Sequence, residues 1–132
     1  GKPILFAKFK NKEKVLFGLP GNPISSAACF RFFVYPYLSN ILGMNNEKPF
    51  KAILKNQFIK KKNFTRFLKG KLTTTENGKL IIEILKGQES FRIKSFTRSN
   101  VWGVFKKGKS IFIKGELIEC HSPNGPNKNI FF

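Results

Sequence analysis

Gly18-Leu19-Pro20-Gly21-Asn22-Pro23-Ile24-Ser25-Ser26 joins a short apolar run, Val15-Leu16-Phe17, to a long apolar and aromatic stretch that begins at Pro23. Glycine reaches positive φ or lets another group approach the backbone closely, whereas proline fixes its own φ. Their alternation here marks a turn from strand to helix. Asn22 is the expected N-cap and Pro23 the first helical position, so the unpaired N–H groups of the first turn are expected to point into the loop beside the hydroxyls of Ser25 and Ser26. A helix start of this kind favours an anion by about 0.3–1 kcal/mol when exposed, and by more when partly buried. Two readings fit the spacing: an ordinary strand-turn-helix connection, and a phosphate or oxyanion site.

Working outward, residues 1–43 read as a strand (Ile4 to Phe9), a charged turn, a second strand (Val15 to Phe17), the Gly-Pro loop, and a helix from Pro23 to about Leu42 ended by Gly43. Pro36 cannot donate to the Phe32 carbonyl, which predicts a kink or break near Tyr35. Phe30, Phe32, Phe33, Tyr35 and Tyr37 exceed one buried stripe, so the helix needs partners on two faces. Two strands and one helix enclose no core of their own, and this part reads as the end of a larger α/β domain. With the sheet edge at Ile4 to Phe9 uncovered, it is expected to self-associate.

Beyond a polar linker at 44–49 the period changes to two. Phe50 to Lys55, Thr65 to Thr75, Lys79 to Leu85, Ser90 to Thr97, Asn100 to Phe105, Ser110 to Lys114 and Glu116 to Cys120 read as short strands, with Asn77-Gly78 as a hairpin turn. Strands at this spacing predict a small antiparallel β-barrel over 50–121, followed by a loose, turn-forming tail at 122–132.

Composition pulls another way. A formal charge of +18 on 132 residues suggests nucleic acid or an anionic surface. The charge is carried by lysine, however, with only Arg31, Arg66, Arg92 and Arg98 available for bidentate contacts, and Lys60-Lys61-Lys62 is its single run. Scattered lysine of this kind reads as a solvated basic surface. There is no Asp, and the seven Glu show no spacing for a carboxylate dyad or a metal cage. No metal site and no catalytic acid or base is therefore expected in this chain. Cys29 and Cys120 are too sparse for a disulfide scaffold or zinc site, and Cys120 beside His121 reads as a free thiol next to a surface histidine. With Arg31, Pro36 and Asn40 interrupting the most apolar stretch, no membrane span is read and a cytoplasmic location is expected.

Gly1-Lys2-Pro3, then a strand, then Val15-Leu16-Phe17-Gly18-Leu19-Pro20-Gly21-Asn22-Pro23-Ile24-Ser25, then a helix ending Phe33-Val34-Tyr35-Pro36-Tyr37-Leu38 form an ordered pattern over the first 38 residues. That pattern resembles the molybdopterin molybdenumtransferase family (MoeA-type), which includes the C-terminal domain of gephyrin. Downstream, Phe67-Leu68-Lys69-Gly70, Gln88-Glu89-Ser90, Ser95-Phe96 and Asn100 are similar to that family's C-terminal barrel. The fold it implies is α+β: the C-terminal strand-loop-helix piece (1–43) of a three-layer α/β molybdopterin-binding domain, then the barrel. The activity it implies is insertion of molybdate into adenylylated molybdopterin with loss of the adenylyl group, in a homodimeric parent that uses Mg2+.

With the resemblance, the loop reads as a functional site rather than a plain connection. Lys2, Pro3, Gly18, Pro20, Gly21, Asn22, Pro23 and Ser25 are the molybdate or molybdopterin residues it implies, with Lys2 as the nearby cation and Ser25 as a hydroxyl donor. Gln88, Ser90 and Asn100 are the matching barrel positions. Family members are about three times as long, and their magnesium-binding acidic residues belong to N-terminal parts absent here. The chain is thus expected to be an inactive C-terminal fragment of an enzyme. Lys69 stands where the family has Arg and Glu89 where it has Gly, which weighs against a ligand role for the barrel. The alternative is a basic barrel that binds single-stranded nucleic acid through Phe91, Arg92, Phe96, Arg98 and Trp102; it is the weaker of the two, since core packing explains the aromatics as well.

Overall fold

The computed structural model describes residues 4–88 and 93–125, in two compact units, Gly1–Asn46 and Glu47–Phe132. In the first unit β1 (Leu5–Lys8) and β2 (Val15–Gly18) form an antiparallel ribbon with Phe6 opposite Phe17. The helical segment follows as α1 (Pro23–Cys29), a π-helical turn (Phe30–Val34) and α2 (Tyr35–Ile41). Tyr37 of α2 packs edge-on against Phe17 at 5.4 Å and against Phe6 at 6.2 Å, so three aromatic rings hold α2 to the ribbon.

The expected break at Pro36 is absorbed without interrupting the helix. The Tyr35 N–H donates to the Phe30 carbonyl five residues back, and this wider turn places Pro36 in the first turn of α2, where a missing N–H costs nothing. The C-terminus closes as the sequence predicts. Gly43 takes φ +67°, its N–H donates to Asn40, and Met44 donates to Ser39, the paired bonds of a Schellman motif.

The second unit contains a closed five-strand barrel in the order β3 (Phe50–Leu54), β6 (Leu80–Ile84), β5 (Arg66–Thr74), β7 (Val101–Phe105), β9 (Leu117–His121). One correction to the antiparallel expectation is geometric. Strand directions can alternate all the way around a ring only if the number of strands is even, so a ring of five holds a parallel pair. That pair is β3 with β6, Ile53 opposite Ile81 and Leu54 opposite Ile82. The β5–β6 hairpin turns at Gly78, φ +75°, with bonds from the Gly78 N–H to Thr75 and from the Thr75 N–H to Lys79.

A separate ribbon, missed in part by the pattern, pairs β4 (Phe58–Ile59) with β8 (Ile111–Phe112). A second correction concerns the strand expected over Ser90 to Thr97. Ile93–Thr97 is a short helix, α3, and residues 89–92 lie outside the described residues. Both edges of β5 are already occupied by β6 and β7, so no ladder is open to another strand there. The hydroxyls of Thr97 and Ser99 instead bond the carbonyls of Lys94 and Phe96. Phe96 of α3 packs on Trp102, and all of β7 is buried, Val101 and Phe105 within the barrel core. Nor does the loose tail begin at 122: Ser122 is buried and its hydroxyl donates to the Gly125 carbonyl, while 126–132 lie outside the described residues.

The barrel interior centres on Ile82, fully buried with Ala52, Leu54, Leu68, Val101, Phe105 and Cys120. Two glycines make room for it. A Cβ at Gly103 would lie 3.0 Å from Ile82 Cδ1 and 3.2 Å from Phe105 Cε2, and one at Gly70 would lie 2.9 Å from Ile82 Cγ1 and 3.2 Å from the Glu83 carbonyl oxygen. Gly70→Ala and Gly103→Ala are each expected to destabilise the barrel by about 1–3 kcal/mol in urea unfolding. Ile82→Val removes Cδ1, which a Cβ at either glycine would approach to 3.0 Å, but leaves Cγ1 and the Glu83 carbonyl beside position 70; in that background both substitutions should cost less, Gly103→Ala losing the larger share, and equal costs in both backgrounds would contradict this packing.

Candidate functional site

The loop between β2 and α1 is built as a capped helix start. Asn22 takes φ −80°, ψ 127°, and its side-chain oxygen accepts from the Ile24 N–H at 3.1 Å and the Ser25 N–H at 3.3 Å. This corrects the expectation that the first-turn N–H groups point freely into the loop: the Asn22 cap takes two of them. The Ser26 N–H donates to the Asn22 carbonyl at 2.8 Å, and the Ser26 hydroxyl reaches back to the Pro20 carbonyl at 2.7 Å, so Ser26 locks the loop onto the helix. Pro20 and Ile24 are buried beneath it. The Ser25 hydroxyl has no hydrogen-bond partner among the described residues.

The two glycines of the loop differ in kind. A Cβ at Gly18 would lie 2.9 Å from the Leu5 Cβ, so Gly18 serves the close approach of β1 to β2. Gly21 is exposed, its φ is not in the left-handed region, and a Cβ there would meet nothing within 4 Å. Nothing in the described structure requires glycine at 21. Lys2 and Pro3, the remaining loop candidates, lie outside the described residues.

Of the barrel positions, Gln88 and Asn100 complete β5. The Gln88 carboxamide accepts from the Lys69 N–H at 3.0 Å and donates to the Lys69 and Leu85 carbonyls, each at 2.7 Å. The Asn100 carboxamide accepts from the Leu72 N–H at 2.6 Å and donates to its carbonyl at 3.1 Å. Each side-chain amide thus imitates a strand residue on one edge of β5, just past the end of β6 and of β7. Ser90 lies outside the described residues.

Two lysines read as surface charge are buried. Lys60, from the basic run, is 6% exposed, and its ammonium donates to the carbonyls of Lys61 (3.3 Å), Phe64 (2.8 Å) and Lys109 (2.7 Å) beside the Phe112 ring. Three donors meet three acceptors, which offsets the cost of burying the charge. Lys69 is 1% exposed and its ammonium donates to the Gly87 carbonyl. Composition holds no signal for either. The aromatic platform required by the nucleic-acid alternative is not assembled: Trp102 is 3% exposed, Phe96 lies against it, and Phe91 and Arg92 are outside the described residues.

Among the described residues no group of three or more His, Cys, Asp and Glu is placed to hold a metal ion, and no helix is long and apolar enough to cross a membrane. Glu83 and Glu116 are instead engaged by Lys55 and Lys109, whose hydrogen bonds pull both carboxyls below their ordinary range. Glu119 pairs with Lys106 at 2.7 Å. Cys120 and His121 point to opposite sides of β9, as neighbours on a strand must. The thiol lies in the core, and the ring, mostly buried, sits 3.0 Å from Glu119 and 4.0 Å from Glu47. Cys120 is a free thiol, as expected, but it is buried in the core, and His121 is mostly buried rather than at the surface.

Residues 51–122 match the family model for the MoeA C-terminal region (domain IV). Curated relatives called molybdopterin molybdenumtransferase include one from Synechococcus elongatus, 28% identical over 124 residues, covering 92% of this chain and 29% of the relative. Another, from Haemophilus influenzae, is 29% identical over 121 residues, 89% of this chain and 30% of the relative. A solved structure of a molybdopterin biosynthesis moeA protein from Pyrococcus horikoshii matches 95% of this chain and 30% of its own, at 28% identity and a TM-score of 0.68. The chain thus spans less than a third of the length of these relatives.

Burial pushes the Cys120 thiol up to about 12, whereas Cys29 is only partly buried. Native protein at neutral pH should therefore react with a thiol reagent at Cys29 first, and at Cys120 only after unfolding. A group whose pKa is raised by folding favours the folded state while it stays protonated. Any stability due to Cys120 is thus lost as pH rises from about 9 toward 12, and Cys120→Ala should flatten that part of the stability curve.

Proposed function

The chain belongs to the MoeA C-terminal region (domain IV) family, and from that premise we propose that it is the C-terminal part of a molybdenum cofactor biosynthesis enzyme that inserts molybdate into adenylylated molybdopterin. The observation that carries the reading is the state of the loop before α1. Its cap is satisfied from within by Asn22, yet Gly21 stands in open space and the neighbouring Ser25 hydroxyl has no partner among the described residues.

Molybdate, the substrate, is a tetrahedral dianion. A rigid loop at the positive end of a helix, with a hydroxyl donor and an approachable glycine backbone, binds such an ion without an acidic group to compete. In this scheme Ser25 donates to a molybdate oxygen, Lys2 supplies the opposing charge, and Gly21 lets the anion or the pterin substrate lie against the main chain. Gly18, Pro20, Asn22 and Pro23 hold the loop in shape, and Pro3 does the same for the segment carrying Lys2. These are binding roles. Magnesium, which the family resemblance implies, finds no suitable carboxylate cluster among the described residues, and its ligands are assigned to the remaining part of the parent. The parent is proposed to be a homodimer in the cytoplasm.

In the full-length parent, Ser25→Ala and Lys2→Ala should each weaken molybdate binding by about 1–3 kcal/mol, roughly 5- to 150-fold, in calorimetric titration. Gly21→Val should fold normally, because its side chain would meet open space, yet lose affinity for the pterin substrate or for molybdate. Unchanged affinity in both Ser25→Ala and Lys2→Ala would mean that the loop only shapes the fold.

The first unit exposes Leu5, Phe6 and Phe9 on the ribbon, at 50–59%, and Ile41 and Leu42 at the helix end, at 62% and 72%. Apolar surface of this kind calls for a cover. The isolated chain should self-associate through residues 4–43, seen as a light-scattering mass that rises with concentration and falls back when Phe6 and Ile41 are changed to Glu.

A further inference from the structure

The β4–β8 ribbon stands apart from the closed barrel, and its two faces have different fates. Phe58 and Phe112 turn inward and pack on Phe105 at 5.0 and 4.8 Å. Their neighbours turn outward: Ile59 and Ile111, directly paired across the ribbon, are 62% and 49% exposed, and Ile113 and Phe64 beside them are 56% and 60% exposed. The platform beneath is firm. Lys60 donates from its N–H to Ser110 and from its ammonium to Lys109, Gly108 donates to Lys62, and Lys107 donates to the Thr65 hydroxyl, tying residues 58–65 to 105–112.

This apolar face is framed by positive charge. Lys61, Lys62 and Lys114 are exposed and belong to no ion pair among the described residues, while Glu116, the acidic residue of this region, is taken by Lys109. Among the described residues β4 and β8 pair only with each other, so each offers a backbone edge without a strand partner there.

We propose that the outer face of the β4–β8 ribbon is a docking surface for an extended, acidic segment of a partner protein, seated by the isoleucines and neutralised by the lysines. Three observations select this occupant. A second copy seated face to face here would set the same exposed lysines, Lys61, Lys62 and Lys114, against each other. Single-stranded nucleic acid needs stacking platforms, and apart from Phe64 the patch is aliphatic and without arginine. A lipid surface cannot pair with the open strand edges, whereas an extended peptide satisfies them and places alternate side chains on the isoleucine face.

The test titrates the 132-residue chain against a fluorescent synthetic heptapeptide of alternating glutamate and isoleucine, followed by anisotropy. Saturable binding is expected, weakened about tenfold by Ile111→Glu and, independently, by the pair Lys61→Glu and Lys62→Glu. The pair Lys10→Glu and Lys12→Glu, an equal charge change in the first unit, should leave it unchanged. Backbone N-methylation of the peptide should abolish binding, since the strand edges would have no donors to meet. All altered residues are exposed, and an unchanged circular dichroism spectrum confirms the fold of each variant. Absence of binding overturns the proposal, as does equal affinity for a glutamine-isoleucine peptide or indifference to Ile111→Glu. So does tighter, Ile111-dependent binding to phosphatidylglycerol vesicles or to oligothymidylate.

Discussion

The narrow interior of a five-strand barrel is the constraint on which the second unit depends. Ile82 is fully buried in this ring among Leu54, Leu68 and Phe105, with Gly70 and Gly103 on β5 and β7 stripped of side chains where it lies. From this contact the register of three strands follows, since moving β5 or β7 by one residue would put a side chain where Ile82 must be. The odd number of strands then forces the parallel pair of β3 with β6. Gln88 and Asn100 finish what the ladders leave undone, one side-chain amide on each edge of β5. Their match to the family pattern is thus explained by strand completion, without a ligand.

The large positive charge is sorted by the fold into three populations. Lys60 and Lys69 are internal, their ammonium groups held by backbone carbonyls, and removing either would leave those carbonyls without their donor. Lys55, Lys106 and Lys109 pair with glutamates at the surface, where each such contact contributes about 0–1 kcal/mol and none decides the fold. Arg31 is buried as well, while the other described lysines face solvent and set the long-range field. That field favours an anionic substrate or an acidic partner and disfavours contact between copies through the same basic face.

The first unit shows how local backbone chemistry fixes the shape of a loop. Asn22 and Ser26 close the loop on itself, so its shape does not wait for a ligand. Preorganisation of this sort lowers the ordering cost of binding. The π turn before Pro36 plays a similar part for the helix: it accommodates the proline while keeping Tyr37 aligned with Phe17 and Phe6 on the ribbon.

Local backbone chemistry was legible in the sequence because it depends on residues that are close along the chain. The Asn22 cap, the Gly43 termination and the turn at Gly78 each rest on a residue type whose backbone or side-chain preference is nearly sufficient by itself. Most strands were legible for the same reason, their apolar alternation being a short-range signal. What escaped depends on groups far apart in sequence. Phe91-Arg92-Ile93-Lys94 alternates like a strand, yet Ile93–Thr97 is a helix, with Ile93 and Phe96 three residues apart, and β6 and β7 fill the edges of β5. Lys60 reads like any lysine in a basic run until Phe64 and Lys109 bring their carbonyls to it. The loop around Gly21 was visible as a turn from its glycines and prolines, but that Gly18 answers to Leu5 while Gly21 answers to no described neighbour was settled only when the strands paired. Turns and caps are written in single residues; parity, burial and the roles of individual glycines are properties of the closed structure, because steric exclusion acts between atoms that meet only after folding.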